Sequence, residues 1–215
     1  MSFKIGDIKI QSPALLAPMS GITDRPFRRL IRACNPSGVG AWFTEFVSIG
    51  ALWRASKRSI DMMRTDPAEE PFVVQLFGRD IEHMVHAGHV AVEHGAQIVD
   101  INCGCPAPKV NRRGGGAALM KEPKHLAKLI GTMVSALPVP VTVKIRSGWD
   151  DQQLNFVEVA RAAEQEGAAA LSIHPRTRTA LYRGKADWTI IARCAAAVNI
   201  PVVGSGDICS PEAAR

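Results

Sequence analysis

The sequence lacks an apolar run of twenty residues, which is the length that a membrane-spanning helix requires. It also lacks a signal-peptide pattern, and its five cysteines are an odd set without the density of a disulfide framework. Cys103 and Cys105 are separated by one residue, and no second pair follows them, so the spacing is not typical of a structural zinc site. We therefore expect a cytoplasmic protein with no membrane segment and no metal ion.

Aromatic residues are also few, at 6%, and no aromatic-rich pair of strands suggests a module that stacks RNA bases. Positive charge is in excess: the formal net charge is +6, which suits a polyanionic partner such as nucleic acid. A mildly basic protein with solvated lysines and arginines would have the same charge, so the total leaves both interpretations open. Hydrophobic residues make up 47% of the 215 positions, enough for a sizeable folded core.

The most informative stretch covers residues 97–116 and reads QIVDINCGCPAPKVNRRGGG. The β-branched residues of its IVDI segment are typical of a strand that is covered on both faces. Pro106 and Pro108 cannot continue a β-ladder, and the three glycines allow sharp bends, so we expect the strand to open into a long loop. A thiol and positive charges beyond the carboxyl end of a buried strand indicate a reaction site that faces an anionic partner.

Short apolar strands alternate with helical patterns along the whole chain. Asp24, Asp80 and Asp187 are typical helix N-caps. The predicted strands cover residues 14–18, 41–47, 72–77, 98–101, 139–145, 168–173 and 201–204. Seven strand–helix units in series favour an α/β fold of the TIM (β/α)8 barrel type, with a doubly wound sheet as the alternative. Because the chain stops within the seventh helix, we expect an incomplete barrel that forms one domain over residues 1–215 and lacks the eighth strand.

In a barrel the carboxyl ends of the strands meet at one mouth, so polar residues at these ends are predicted to share a site. They are Pro18, Met19, Ser20, Gln75, Asn102, Cys105, Lys144, Arg146, His174, Arg176, Arg178, Ser205, Gly206 and Asp207.

Three of these positions have an ordinary structural interpretation beside the functional one. Lys144 interrupts the apolar strand VTVKI, where an ammonium group either meets a bound anion or electron-rich ring, or extends to water. Gln75 interrupts VVQLF, and its buried amide needs either a ligand or a neighbouring backbone group. His174 is either a site residue or a histidine without a catalytic duty. A GSG sequence such as 204–206 lets a backbone approach a phosphate, but it is also a common turn.

Cys105 is the sharpest candidate for chemistry. A free thiol has a pKa near 8.5 and can serve as a proton donor at neutral pH. Lys109, Arg112 and Arg113 follow it and would lower that pKa and favour the thiolate, so the sequence leaves its protonation state open. An inert buried thiol is the alternative.

Basic residues cluster on the two loops that we expect beside the mouth. If they flank one cavity they can bind a phosphodiester backbone, whereas on surface helices they would only be solvated. They are Lys109, Arg112, Arg113, Arg176, Arg178, Arg183 and Lys185.

Several motifs, in order along the chain, resemble those of the tRNA-dihydrouridine synthases, and in particular the bacterial DusB-like branch. The resemblance covers essentially the whole chain, and the block GCP-x-x-K-V-N-R is specific. The motifs are APMSGITDRPFR (17–28), VVQLFG (73–78), DINCGCPAPKVNRRGGGAALM (100–120), VTVKIRSGW (141–149), SIHPRTR (172–178) and VVGSGD (202–207).

The resemblance implies an FMN-bound TIM barrel that reduces the C5–C6 double bond of selected uridines in tRNA, with NADPH as the reductant. Hydride would pass from N5 of the flavin to C6 of uracil, and Cys105 would protonate C5. Lys144 would stabilise negative charge on the flavin ring, and Asn102 would orient the uracil. By motif position the other FMN contacts would be Pro18, Met19, Ser20, Gln75, His174, Ser205, Gly206 and Asp207. The RNA would lie near Lys109, Arg176 and Arg178.

The sequence departs from the family pattern at Ser205, where Asn is common, and at Pro175, where Gly is common. It also has no counterpart of the eighth strand, with its Gly-Arg phosphate contact, or of the helical C-terminal domain. We therefore expect these 215 residues, as a monomer, to bind FMN weakly and to show little activity. The alternatives are another FMN barrel that acts on a free pyrimidine, as dihydroorotate dehydrogenase does, and a tRNA-binding remnant without catalysis.

Overall fold

A computed structural model describes residues 2–210 and 212–213 of the chain. Its main element is a curled sheet of seven strands in which all neighbours are parallel. The strands are β3 (Trp42–Phe43), β4 (Val47–Ser48), β5 (Phe72–Phe77), β6 (Ile98–Cys103), β7 (Val141–Arg146), β8 (Ala170–His174) and β9 (Val202–Gly204). β3 and β4 both pair with β5, and the strands from β5 to β9 are neighbours in chain order. Leu16 adds an isolated parallel bridge to Trp42, so segment 14–18 occupies the place of the predicted first strand.

Helices connect the strands and cover one face of the sheet. They are α1 (Arg25–Cys34), α2 (Ile49–Leu52), α3 (Lys57–Met62), α4 (Ile81–Glu93), α5 (Pro108–Asn111), α6 (Pro123–Ala136), α7 (Phe156–Gln165) and α8 (Trp188–Ala195), with a 3-10 helix at Gly116–Lys121. The predicted N-caps Asp24, Asp80 and Asp187 each accept a backbone hydrogen bond at the start of α1, α4 and α8. α5 and the 3-10 helix occupy much of the stretch for which the glycines and prolines predicted only a loop.

The two faces of the strands have different surroundings. Side chains such as Val99, Ile101 and Cys103 pack with the helices in the larger apolar core. The alternate positions of the same strands point to the other face, where Phe43, Val73, Ile98 and Ala170 form a second apolar cluster. Because the helices cover one face only, the architecture is that of an incomplete TIM barrel, as predicted, and the doubly wound alternative is wrong.

An antiparallel hairpin that the sequence pattern did not predict packs on the second cluster. Its strands are β1 (Phe3–Ile5) and β2 (Ile8–Ile10), joined by a turn in which Gly6 has a φ of +58°. Ile5 and Ile10 are buried against Phe43, Val73 and Ile98. The hairpin therefore covers the amino-terminal end of the barrel interior, opposite the end at which the predicted site residues lie.

Three local predictions differ from the structure. The predicted strand 41–47 is two short strands, and the predicted helix 50–65 is α2 and α3 with a break at Ala55, whose φ is +51°. In α1 the expected apolar face is not the buried one: Leu30 is 58% exposed, while Arg28 is fully buried. Arg28 is buried because its Nε donates to Glu69 at 3.1 Å and its other nitrogens donate to backbone carbonyl groups.

Among residues 2–210 and 212–213, no helix is both long enough and apolar enough to span a membrane. Within the same residues, no three His, Cys, Asp or Glu side chains are grouped so that they could hold a metal ion.

Candidate active site

A cavity of about 720 Å³ lies at the carboxyl ends of the strands. Its walls come from segment 17–22 and from the residues that end or follow β6, β7, β8 and β9. The structure therefore brings together side chains that are up to 190 residues apart in the sequence. The predicted site residues that line the cavity are Pro18, Met19, Ser20, Asn102, Cys105, Lys144, His174, Arg176, Ser205, Gly206 and Asp207.

Three predicted site residues do not line this cavity. Gln75 is fully buried one layer below it, in the interior of the barrel. Lys109 is exposed on α5. The Arg178 guanidinium lies 4.7 Å from the centre of the Trp149 ring, which Lys121 approaches to 4.6 Å. These two cations and the indole form a patch outside the cavity wall.

The layer below the cavity is a row of buried polar side chains across three strands. Gln75, Asp100 and Thr142 are register partners on β5, β6 and β7. Gln75 Nε2 donates to Asp100 Oδ2 at 2.7 Å, and Thr142 Oγ1 donates to Asp100 Oδ1 at 2.5 Å. Burial raises the pKa of Asp100 to about 6, although both hydrogen bonds and the charge of Lys144 favour the carboxylate. Asp100 was not among the predicted site residues, although a carboxylate within the apolar strand IVDI poses the same problem as Lys144 in VTVKI.

Asn102 connects this row to the loop that carries Cys105. Its Nδ2 donates to Gln75 Oε1 at 2.7 Å, and its Oδ1 accepts the backbone N–H groups of Cys105 at 2.9 Å and Gly104 at 3.3 Å. Asn111 Nδ2 donates to the Cys105 carbonyl at 2.9 Å, as does the Ala117 N–H at 3.1 Å. The backbone of Cys105 is therefore held on both its N–H and its C=O side.

The Cys105 side chain is a thiol in this environment. Burial raises the pKa of Cys105, and this effect exceeds the opposite effects of the Ala107 backbone N–H and of Arg146. The charges that could have favoured the thiolate, on Lys109, Arg112 and Arg113, are on exposed side chains. Cys103 is fully buried among the helices on the opposite face of the same strand and does not line the cavity.

Lys144 places its ammonium group at the cavity wall. Nζ donates to Ser205 Oγ at 3.3 Å, and no other hydrogen bond of this group occurs within the described part of the chain. Burial lowers the pKa of Lys144 to about 8; the Asp100 charge opposes this shift and the Arg146 charge adds to it. Most of the side chain is therefore still cationic at pH 7, in a place where few protein groups compensate its charge.

Two buried arginines hold the loop that follows β8. Arg146 donates to the carbonyl groups of Gly104, Thr177 and Leu181 at 2.9–3.0 Å. Arg176 donates to the carbonyl groups of residues 183 and 184 and to both carboxylate oxygens of Asp207 at 2.9 Å. The sequence located Arg146 at a strand end without assigning it a role, because its carbonyl partners lie on two distant loops.

His174 completes the wall beside Gly206. Its Nδ1 accepts the Arg176 N–H at 3.3 Å, so a neutral ring carries its proton on Nε2. Burial lowers the pKa of His174 to about 4, and the charges of Arg146, Lys144 and Arg176 add to this effect. Gly206 has a φ of +109°, and a Cβ atom there would come within 3.0 Å of His174 Nε2. The backbone at Gly206 therefore forms a narrow part of the wall that a larger residue would fill.

Comparison with known proteins assigns the chain to a family. Residues 15–215 match the family model described as "Dihydrouridine synthase (Dus)". The chain is 44% identical over 214 residues to a tRNA-dihydrouridine synthase B of Pseudomonas syringae, with 99% of this chain and 62% of that protein aligned. It is 43% identical to the tRNA-dihydrouridine synthase B of Vibrio cholerae, over 99% of this chain and 65% of that protein.

A protein of Rhodobacter capsulatus named probable tRNA-dihydrouridine synthase is also 43% identical, over 100% of this chain and 66% of its own length. The chain thus spans a little under two thirds of the length of the curated relatives that it matches. A family model that covers nearly the whole chain and relatives above 40% identity agree with the motifs and with the barrel architecture, and the chain therefore belongs to the dihydrouridine synthase family.

Proposed function

We propose that this chain is the flavin-binding catalytic domain of an enzyme that reduces uridine in tRNA to 5,6-dihydrouridine, with NADPH as the reductant. The observation that carries the proposal is the convergence of the Cys105 thiol and the Lys144 ammonium group on one cavity. The relatives named above are tRNA-dihydrouridine synthases, and tRNA is accordingly the proposed partner. The proposal places the protein in the cytoplasm as a monomer.

The residues of the cavity fit FMN. A volume of about 720 Å³ is within the range of cofactor sites, and Pro18 and Met19 contribute apolar surface. The largely uncompensated charge of Lys144 suits an electron-rich ring, and the narrow backbone at Gly206 suits close contact with a phosphate. His174, Ser205 and Asp207 would complete the FMN contacts, together with Ser20. FMN, when bound, would supply the hydride that reduces C6 of the uracil ring.

Gln75 supports this site indirectly. It lies below the cavity, and both ends of its amide are already engaged by Asp100 and Asn102. We therefore place it beneath the flavin ring as a support for Asn102.

Cys105 would act as the general acid. Because burial keeps its sulfur protonated at neutral pH, the thiol can donate its proton to C5 of the uracil ring as C6 is reduced. Asn102 has one N–H left to orient the uracil, since its oxygen and its other hydrogen are already engaged.

The tRNA backbone would meet the exposed basic residues outside the cavity. Lys109 and Arg112 lie on or next to α5, directly beyond Cys105, and both are exposed. Arg178 and Lys121 flank Trp149 on the neighbouring loops. Arg176 is committed to Asp207 and to backbone carbonyl groups, so we propose that it shapes the RNA-facing loop.

Replacement of Cys105 tests the proposal. We expect Cys105→Ala to lower dihydrouridine formation by roughly 100- to 10,000-fold, because one general acid contributes about that much to a rate. Affinity for tRNA should stay within about two-fold. The readout is the two-dalton mass increase of the modified uridine in purified tRNA, together with a filter-binding measurement.

Cys103→Ala is the matched control, because the Cys103 side chain lies on the opposite face of the same segment. It should retain product formation. Full activity of Cys105→Ala would overturn the assignment of the acid. Reduction of a free pyrimidine in place of tRNA would favour the dihydroorotate-type alternative, and tRNA binding without any product would favour a non-catalytic role.

A further inference from the structure

Asp100 is the most deeply placed charged group of the site. It is fully buried, and neither the cavity wall nor the proposed chemistry includes it. Its hydrogen-bond partners are the side chains of Gln75 and Thr142, on the two neighbouring strands. An isolated carboxylate in such a place would cost several kcal/mol of folding free energy. Its presence therefore calls for a role that an apolar residue could not fill.

The hydrogen bonds that begin at Asp100 have only one self-consistent direction. An ionised carboxylate can only accept, so Gln75 must turn its NH2 group towards Asp100 and its oxygen towards Asn102. Asn102 must then donate through Nδ2 to that oxygen, which leaves its Oδ1 free to accept from the backbone of Cys105. One acceptor-only group thus fixes the orientation of two amides, either of which could otherwise rotate by 180°.

The chain of bonds ends at the residue that would give up the proton. Cys105 lies three residues beyond Asn102, where the backbone has left β6, and its N–H donates to Asn102 Oδ1 at 2.9 Å. If Asn102 were reversed, its NH2 group would face that N–H, and two donors would meet. The same reversal would remove the N–H with which Asn102 is proposed to hold the uracil.

We propose that Asp100 is a positioning residue: through Gln75 and Asn102 it sets the place of Cys105 and the orientation of the amide that holds the uracil, without touching either reactant. This inference rests on the proposed function for its catalytic consequence. The relay itself, defined as Asp100, Gln75, Asn102 and the Cys105 N–H, is a property of the folded chain and can be tested without any turnover.

An exchange of the amide and the carboxylate tests the relay directly. Asp100→Asn removes the acceptor-only end, and Asn102→Asp places a second carboxylate against the oxygen of Gln75, so each change alone should lower the melting temperature. In the double variant Gln75 can rotate, donate to Asp at 102 and accept from Asn at 100. We expect the double variant to recover at least half of the larger single loss.

Losses that simply add in the double variant would overturn the proposal, because a side chain that only fills space has no reason to be rescued at a distance. Failure of both Asp100→Asn and the double variant to fold would overturn it as well, since the exchange would then have restored nothing.

Hydrogen exchange of the Cys105 amide reads the far end of the relay. We expect Asp100→Asn to accelerate this exchange at least ten-fold, because the acceptor on Asn102 is no longer fixed. Thr142→Val is the matched control: it removes the other hydrogen bond to Asp100 and leaves the path towards Cys105 intact. Equal protection of the Cys105 amide in Asp100→Asn and the parent protein would contradict the relay.

Steady-state kinetics test the catalytic consequence. Asp100→Asn should lower kcat roughly 10- to 100-fold, as expected for a displaced catalytic group, while KM for tRNA stays within about two-fold. An unchanged kcat would overturn the positioning role. A parent protein that reduces no uridine would overturn the proposed function instead, and the exchange and melting experiments would still decide whether the relay exists.

Discussion

His174 lies at the cavity wall close to three cationic side chains, those of Lys144, Arg146 and Arg176. Its pKa is lowered to about 4 by burial and by these charges, whereas a histidine in the unfolded chain has a pKa near 6.5. Between these values the unfolded chain binds a proton that the folded chain excludes. The contribution of His174 to stability is therefore complete above pH 6.5 and is lost as the pH falls towards 4.

We expect His174→Asn to reduce this acid sensitivity, since Asn can still accept the Arg176 N–H but does not titrate. The difference in unfolding free energy between pH 7 and pH 4.5 should be smaller in the variant by on the order of 1 kcal/mol, after allowance for screening at the cavity mouth. Asp100 has the opposite pH dependence because its pKa is raised, but it is common to both proteins. Urea denaturation at several pH values gives the measurement, and parallel curves for the two proteins would contradict the prediction.

At the scale of single residues, the sequence is informative where a polar group interrupts an apolar strand. Lys144 is identified in this way, and the same reasoning applies to Asp100. What the sequence does not contain is the register that sets Asp100 beside Gln75 and Thr142, from strands 25 and 42 residues away. Both interpretations of Gln75 therefore stay open until the neighbouring strands are placed.

The segment from α5 to the 3-10 helix clamps the carbonyl group of Cys105. Gly116 is at the closest approach: its φ is +61°, and a Cβ atom there would lie 2.7 Å from the Cys105 oxygen. Both conditions exclude a side chain, one through the conformation of the backbone and the other through contact. The clamp thus depends on a glycine that the sequence suggested only as one of three flexible positions.

We expect Gly116→Ala to lower the unfolding free energy by about 2–4 kcal/mol, from left-handed strain of about 1–2 kcal/mol and from displacement of the Cys105 backbone. Gly184→Ala is the matched control, because Gly184 has a similar φ of +68° but no atom within 4 Å of the added Cβ. Its loss should be close to the strain alone. Chemical denaturation of both variants measures the difference, and equal losses would show that the contact with Cys105 has no energetic effect.

Helix α1 shows why the elements themselves were predicted better than their buried faces. Its Asp24 cap and its length follow from local sequence, and both agree with the prediction. Its buried face does not, because Arg28 is neutralised by Glu69, which is 41 residues away along the chain. A pairing over that distance leaves no periodic pattern in the helix.

The barrel interior as a whole changes character from one end to the other. The hairpin and the cluster around Val73 and Ile98 form an apolar base, the row from Gln75 to Thr142 is polar but internally satisfied, and the cavity wall carries the uncompensated charge of Lys144. The strand order and the convergence of the strand ends were predictable from seven repeated units. The hairpin was missed because its two three-residue strands are shorter than the apolar runs that identified the others.

We expect Ile10→Ala to lower the unfolding free energy by about 2–5 kcal/mol, because Ile10 is fully buried in the apolar base. Ile8→Ala should cost less, since Ile8 is only partly buried against the same cluster. Both variants can be compared by thermal and urea unfolding. A loss at Ile10 no larger than that at Ile8 would mean that the hairpin does not close the barrel as described.

The location of the hairpin also constrains the order of events during synthesis. Residues 3–10 leave the ribosome first, yet one of the groups that they pack against, Ala170, belongs to a strand that is translated far later. Until then Ile5 and Ile10 have only part of their final surroundings, and a two-stranded hairpin alone is marginally stable in water. The first segment to emerge is therefore among the last to become fixed, and the nascent chain carries an exposed apolar end that chaperones can bind.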